Sequence, residues 1–304
     1  MAMGNSTAIV DVQHLSRHFD DKAALLDVTI QVPRGKVFGV IGENGAGKTT
    51  LIKHILGMYR AQEGSVSVFG MDPVKHPKEV LSRIGYLSEN PDYPEWMTIA
   101  QLMNYTSAFY ATWDDQYAES LLQMISVDPT KKISELSKGQ LARVGLCAAQ
   151  AHRPELLLLD EPSSGLDPVA RNEILLAVIR TVINEGRSVL LWSHLLDEVE
   201  RVADHLLFFS HGTVLLSEPM DAVLDRHYQV SVRVSGRLTW QSIPDIFDAK
   251  EENGEWQLFS YSDIKHLIVE LQKLGAEVLD YRRLSLNEAF LARSAARKNI
   301  RGVR

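Results

Sequence analysis

The stretch Gly42-Glu43-Asn44-Gly45-Ala46-Gly47-Lys48-Thr49-Thr50 carries glycine, lysine and threonine at the spacing G-x-x-x-x-G-K-[ST]. It follows the apolar run 37–41 and precedes the helix-like run 51–56, which is the strand, loop, helix setting in which such a loop cradles phosphate. Glycines let the backbone turn tightly and aim N–H groups at phosphate oxygens, and a helix N-terminus behind them favours negative charge. The spacing gives the cradle to Gly42, Asn44, Gly45, Gly47 and Thr50, the β- and γ-phosphates to Lys48, and a hydroxyl on Mg²⁺ to Thr49.

Three other places carry chemistry. Leu156-Leu157-Leu158-Leu159 is a continuous apolar run ending in Asp160-Glu161. Buried central strands of parallel sheets read this way, and ligands bind at their carboxyl ends. Asp160 is placed to hold the Mg²⁺ of a bound nucleotide, and Glu161 to take a proton from an attacking water. The apolar run 188–192 delivers His194 to the same end of a sheet. Ser137-Lys138-Gly139-Gln140 opens a helix; it reads equally as a capping box and as an anion site at a helix N-terminus.

The elements that position these groups follow from periodicity. Residues 9–32 hold two alternating segments split near Asp20-Asp21, with Phe19 between them as either an edge aromatic or a platform for a nucleobase. Strands are expected at 64–69 and 83–87, the latter ending at Ser88-Glu89-Asn90, and again at 206–209 and 213–216. Thr98 and Gln101 make a capping box for a helix whose apolar phase runs through Ile99, Leu102, Met103, Thr106, Phe109, Tyr110 and Trp113, and a second helix spans 115–125. The loop 91–97 before them offers Tyr93, Trp96 and Met97 as interface anchors or as residues buried under the helices. Asp167-Pro168 is an N-cap and N1 pair for a helix with Ile174, Leu175, Val178, Ile179 and Val182. After residue 228 the pattern becomes a small α+β unit: alternating Val230, Val232 and Val234, a strand at 255–259, and a helix at 263–274 burying Ile264, Leu267, Ile268, Leu271 and Leu274. A strand at 276–281 and a helix capped by Ser285 and Glu288 complete it.

With 304 residues, 45% of them hydrophobic, the chain can bury one large core and a small one. A net charge of −7 argues against general nucleic-acid binding, although Arg293, Arg297, Lys298, Arg301 and Arg304 make 293–304 a basic tail, solvated or facing acidic lipid or a partner. Cys147 is the single cysteine and sits in an apolar run, which excludes an intrachain disulfide and suggests an inert core thiol in a reducing compartment. The chain opens without a charged-then-apolar signal, and no apolar run approaches the length that spans a bilayer, so a role at a membrane is expected to need a separate spanning partner.

In this order the motifs resemble the nucleotide-binding subunit of ABC transporters, over roughly residues 8–220, and the ending Leu284-Ser285-Leu286-Asn287-Glu288-Ala289-Phe290-Leu291 is similar to that of bacterial drug and antibiotic exporter ATPases. The resemblance implies an α/β P-loop NTPase fold (ABC-type ATPase, 1–225) with an inserted helical subdomain at about 91–150 and a small α+β C-terminal domain at 226–292. Residues 42–50 become the Walker A loop, Asp160 and Glu161 the end of the Walker B strand, and 136–140 the LSGGQ signature with Lys138 in place of glycine. Asp167 falls in the D-loop, His194 is the switch histidine, and Phe19 stands near the aromatic that stacks on the base. Glu89 occupies the Q-loop position where glutamine is usual, and is expected to contact the metal or the attacking water.

The activity implied is ATP hydrolysis with Mg²⁺, in a homodimer whose two ATP sites each lie between the Walker A loop of one copy and Ser137, Gly139 and Gln140 of the other. The partner implied is an integral membrane permease docking near Tyr93, Trp96 and Met97, with export as the direction and no nucleic acid. The location implied is cytoplasmic, on the inner face of the cell membrane. The alternative is a soluble ABC-type ATPase that remodels ribosomes, nucleic acid or protein assemblies; those carry two ATPase units in one chain or a long coiled-coil insert, and this chain has neither. An N-K-x-D motif, which would read guanine, is missing.

Overall fold

The computed structural model describes residues 8–20, 22–43, 45–234, 240–243, 245–252 and 254–301, with the side chains of 181–184, 242, 252 and 297–301 excepted. Asn44, Arg304 and the side chains of Val182, Arg297, Lys298 and Arg301 therefore lie outside the described residues. The chain forms two compact units, Met1–Ser217 and Glu218–Arg304.

The first unit begins with β1 (Ala8–Phe19), β2 (Lys22–Pro33), β3 (Val37–Gly42), α1 (Lys48–Ile55), β4 (Glu63–Val68), α2 (Pro77–Leu81) and β5 (Ile84–Leu87). The helices α3 (Ile99–Ser107), α4 (Asp115–Met124) and α5 (Lys138–Gln150) come next. It closes with β6 (Leu156–Asp160), α6 (Pro168–Glu185), β7 (Ser188–Ser193), α7 (Leu196–Val202), β8 (His205–Ser210) and β9 (Thr213–Pro219), whose last two residues lie past the division.

Six strands form one sheet in the order β5-β6-β7-β3-β8-β9, and the four pairings from β5 to β8 are parallel. Its interior strands are buried on both faces, which is why they read as unbroken apolar runs: Leu156, Leu157, Leu158 and Leu159 are all 0% exposed. Burying each contributes about 1.5–3 kcal/mol. The register sets Ile41 opposite Ser193, and Asp160 opposite Trp192, so the P-loop, the acidic pair and His194 leave the sheet at one end. A second, antiparallel sheet, β2-β1-β4, closes over α1. The core between the layers joins Val12, Val28 and Ile30 to Leu51, Ile52 and Ile55 of α1 and to Phe38, Leu158 and Trp192.

The inserted helices have their own core, in which Ile99, Leu102 and Met103 of α3 and Ala118 and Leu121 of α4 meet Val144, Cys147 and Ala148 of α5. The Thr98–Gln101 capping box forms, but α3 ends at Ser107 instead of running on to Trp113. The chain continues in single turns, Tyr110 N–H to Ser107 and Trp113 N–H to Tyr110, which free Asp114 to cap α4 by accepting from Tyr117 N–H. Phe109 is consequently exposed. Cys147 is buried, and burial pushes its thiol up to about 12, an inert core group.

The second unit holds α8 (Met220–Arg226), β10 (His227–Val234), β11 (Ile246–Glu252), β12 (Glu255–Tyr261), α9 (Ile264–Lys273), β13 (Ala276–Arg283) and α10 (Leu286–Arg301). Its antiparallel sheet, β11-β12-β10-β13, packs Val230, Val232 and Leu258 against Leu267 and Leu271 of α9. The division falls ahead of the expected boundary at 225, and α8 packs on β13 within this unit. Leu274, expected inside, is exposed, because it caps the C-terminus of α9 before Gly275 turns the chain with φ +77°. Arg293 is not part of a solvated tail. It lies within α10, stacks over the rings of Phe247 and Tyr261, and donates from Nε to His227 Nε2 at 2.8 Å.

The cap of α10 yields a pH prediction. Glu288 accepts from Ser285 N–H and from Arg282, which together with the Ser285 bond holds its carboxyl down to about 2 against an ordinary 4.5. A depressed folded-state value gives stability present above the ordinary pKa and lost as pH falls towards the folded one. Glu288→Gln is therefore expected to lower the melting temperature of the second unit at pH 7, with the difference from the parent shrinking between pH 4.5 and about 2. Thermal melts across that range, followed by circular dichroism, check it.

Candidate functional site

The P-loop is built by backbone geometry. Gly47 has φ +104°, and a Cβ there would lie 2.4 Å from the Ala24 carbonyl oxygen, so only glycine fits. Gly212 N–H donates to Ala46 O at 2.7 Å and supports the loop from the β8–β9 turn. Gly47 is also the N-cap of α1 and offers no side chain, so the first N–H groups of that helix are left for an outside acceptor. Thr49 is exposed and Thr50 half-buried at this helix start; Gly45 is exposed in the loop and Gly42 buried at the end of β3.

Glu161 is the hub of the acidic side. Its Oε1 accepts from Lys48 Nζ at 2.6 Å, and its Oε2 accepts from His194 Nδ1 at 2.6 Å and His194 N–H at 3.1 Å. Lys48 and Glu161 are both buried, whereas the His194 ring is about half exposed. Glu161 has φ +50°, a left-handed conformation that costs a non-glycine residue about 1–3 kcal/mol and clusters at functional sites. Asp160, 8% exposed, has its carboxyl pushed up to about 6 by burial, with Glu161 and Glu89 adding to the effect and Lys48 opposing it. A second cation near Asp160 would relieve that excess of negative charge. Asp160 with the Thr49 hydroxyl is an oxygen donor set suited to Mg²⁺, which takes one or two carboxylates and completes its shell with phosphate and water. Among the described residues no cluster of three or more acidic, histidine or cysteine side chains forms a self-sufficient metal cage.

Glu89, Lys138 and Glu161 line one cleft of about 250 Å³, so the structure brings the Q-loop acid beside the acidic hub. The Lys138 side chain reaches Gly165, where an added Cβ would lie 2.8 Å from its Nζ. Ser137 caps α5: its hydroxyl accepts from Gln140 N–H, and Gln140 Oε1 accepts from Ser137 N–H. Ser137 is exposed, and a Cβ on Gly139 would press on Ala170 Cβ at 3.2 Å. Asp167 caps α6 through Val169 and Ala170 N–H. Phe19 is 38% exposed, edge-on to Tyr59 at 5.7 Å with Arg17 over its ring.

Of the three loop side chains, Trp96 is 67% exposed, but Met97 is 9% exposed and Tyr93 packs on the helical core, so the two readings of that loop divide between residues. One supporting residue escapes the sequence reading. Glu198 on α7 is 1% exposed; it accepts from Ser163 Oγ at 2.5 Å and Ser193 Oγ at 3.4 Å, tying the turn after Glu161 to the strand that delivers His194. Burial raises its carboxyl above the ordinary value. The sequence signal for it is an acid four positions after His194, next to the buried Val199.

A P-loop helix with no side-chain cap and a buried lysine on the carboxylate that follows β6 fit a P-loop nucleoside triphosphatase. The comparisons specify it further. The ABC transporter family model (ABC_tran) matches residues 25–164. The ABC transporter ATP-binding protein YtrB of Bacillus subtilis (strain 168) is 30% identical over 224 residues, 74% of this chain and 76% of its own. The bacitracin transport ATP-binding protein BcrA of Bacillus licheniformis is 29% identical over 223 residues, 73% of each. Among solved structures, an ATP binding subunit of an ABC transporter superposes with a TM-score of 0.66 at 28% identity, covering 71% of this chain and 91% of that one. The chain belongs to the ABC transporter family, as an ATP-binding and ATP-hydrolysing subunit. No helix among its described residues is long and apolar enough to cross a membrane.

Proposed function

We propose that this subunit hydrolyses ATP with Mg²⁺ as a homodimer and thereby drives a separate membrane permease in the direction of export. The observation that carries the reading is the bridging of Lys48 and His194 by one buried carboxylate, Glu161, at the end of β6. Lys48 takes the β- and γ-phosphates and so leaves Glu161, which is then free to orient and deprotonate the attacking water. His194, released from the same carboxylate, turns to the γ-phosphate. Thr49, Asp160 and Glu89 would hold Mg²⁺ and its water, and the ion when bound would supply positive charge against the phosphate oxygens.

Ser137, Gly139 and Gln140 present an exposed helix N-terminus and serve the nucleotide of the second copy, with Asp167 at the contact between copies. Phe19 stacks on adenine. Trp96 is the exposed group that anchors the permease, while Tyr93 and Met97 shape its loop from below. The name of another relative, the Nod factor export ATP-binding protein I of Bradyrhizobium diazoefficiens, with the C-terminal similarity, supports export.

Glu89→Ala is expected to raise the Mg²⁺ concentration for half-maximal turnover and to slow hydrolysis about tenfold, the scale seen when groups supporting a metal are removed. Steady-state rates against Mg²⁺ test it, and an unchanged profile would remove Glu89 from the site. The transport reading itself is tested by purifying the tagged chain from detergent-solubilised membranes. A co-purifying polytopic protein is expected; ribosomes or nucleic acid in its place would favour the remodelling alternative.

A further inference from the structure

A second cleft, of about 340 Å³, opens between α4, α5 and α6 and shares no lining residue with the P-loop, the acidic pair or His194. Its volume lies at the low end of ligand pockets, roughly 300–1,000 Å³. The floor is apolar and closed, formed by Leu121, Leu146, Cys147 and Ile174, each 8% exposed or less. Met124, Leu176 and Arg180 stand exposed at the mouth.

The charges on its wall do not cancel locally. Glu173 is taken by Arg143, which ties α6 to α5, and Glu185 is taken by Arg187 and by the Tyr117 hydroxyl at 2.7 Å. Arg180 has only the Met124 sulfur, at 3.9 Å, and no carboxylate within ion-pairing distance among the described residues. The result is a hydrocarbon-lined hollow with one uncompensated guanidinium at its mouth. Its chemical complement is an alkyl chain bearing one negative head, since guanidinium binds carboxylate or phosphate oxygens with a two-pronged fork.

We propose that this cleft binds a free single-chain anionic amphiphile, its chain against Leu121, Leu146, Cys147 and Ile174 and its head on Arg180, and that occupancy changes the rate of ATP turnover. The second half rests on the roles given above to Ser137 and Asp167. Those two residues cap the helices that wall the cleft, α5 and α6, and a guest lodged between the helix bodies shifts one cap against the other. The signature serine and the D-loop aspartate then no longer meet the second copy in the same geometry.

Binding is measured calorimetrically on the whole chain with decanoate, octanoate and decanol, each below its micellar concentration. Decanoate is expected to bind saturably, octanoate about fifteenfold more weakly at roughly fourfold for each of the two methylenes lost, and decanol at least tenfold more weakly for want of the charge. Arg180→Glu is expected to weaken decanoate about tenfold while leaving ATP affinity and basal hydrolysis unchanged; Ala177→Phe, which fills the cleft, abolishes binding. Decanoate binding that ignores both substitutions, decanol binding as tightly as decanoate, or no binding at all would overturn the site. Saturable binding with unchanged turnover in the parent protein would overturn the regulatory half alone. The Glu161 variant discussed below tests the ATPase assignment separately.

Discussion

Glu161→Gln is expected to bind ATP at close to the parent affinity, to hydrolyse it at least about a hundredfold more slowly, and to accumulate as an ATP-bound dimer. General-base assistance contributes roughly 10²–10⁴-fold, and the amide keeps the shape of the carboxylate while losing its basicity. The fold should tolerate the change, because the amide oxygen of the variant remains an acceptor for Lys48 Nζ or for His194 N–H, and the left-handed backbone at this position is no harder for glutamine than for glutamate. Single-turnover hydrolysis measures the chemical step, and gel filtration with and without ATP and Mg²⁺ measures association. Hydrolysis within a few-fold of the parent would move the base to another residue, and Asp160 and Glu89, the acids that bear on the same site, would have to be tested in turn. A slow variant that stays monomeric would keep Glu161 as the base but remove the composite site.

Most of this machinery is legible in the sequence because each part is short and its chemistry demands particular residue types. A P-loop needs glycines where side chains would collide, as a side chain at Gly47 would with the Ala24 carbonyl, and a buried parallel strand needs an unbroken apolar run, as in β6. What periodicity leaves open is decided by long-range packing. Trp96 and Met97 are neighbours in a loop, yet one points out and the other into the helical core. Apolar phase carries α3 to Trp113, but the need for Asp114 as the cap of α4 stops it at Ser107. Arg293 reads as the start of a basic tail until two aromatic rings and His227 from other strands enclose it. Glu198 looks like a surface helix acid until the turn after Glu161 and the end of β7 close over it.

The bond between Lys48 and Glu161 carries a further expectation, because it joins two groups to which the proposed function gives different partners, the phosphates and the attacking water. At 2.6 Å and with both side chains more than nine-tenths buried, the pair is expensive to break from one side. Lys48→Ala is therefore expected to have two effects. ATP affinity falls about 10- to 100-fold, the scale of a lost charge-assisted hydrogen bond. The fold, measured without added nucleotide, also loses stability, by up to about 3–5 kcal/mol, since Glu161 keeps its burial without its cation. His194 is half exposed and offsets part of that cost by remaining on Oε2. The two effects separate in the double variant. Adding Glu161→Gln to Lys48→Ala removes the orphaned charge and should restore most of the melting temperature while leaving ATP affinity low. Urea denaturation of the four proteins, paired with nucleotide titrations, gives the coupling directly. Additive losses would mean that the two side chains act independently in the resting protein. A coupling of about 1 kcal/mol or more would mean that the pair holds together in solution before nucleotide is added, so that a phosphate contact to Lys48 also draws it from the base.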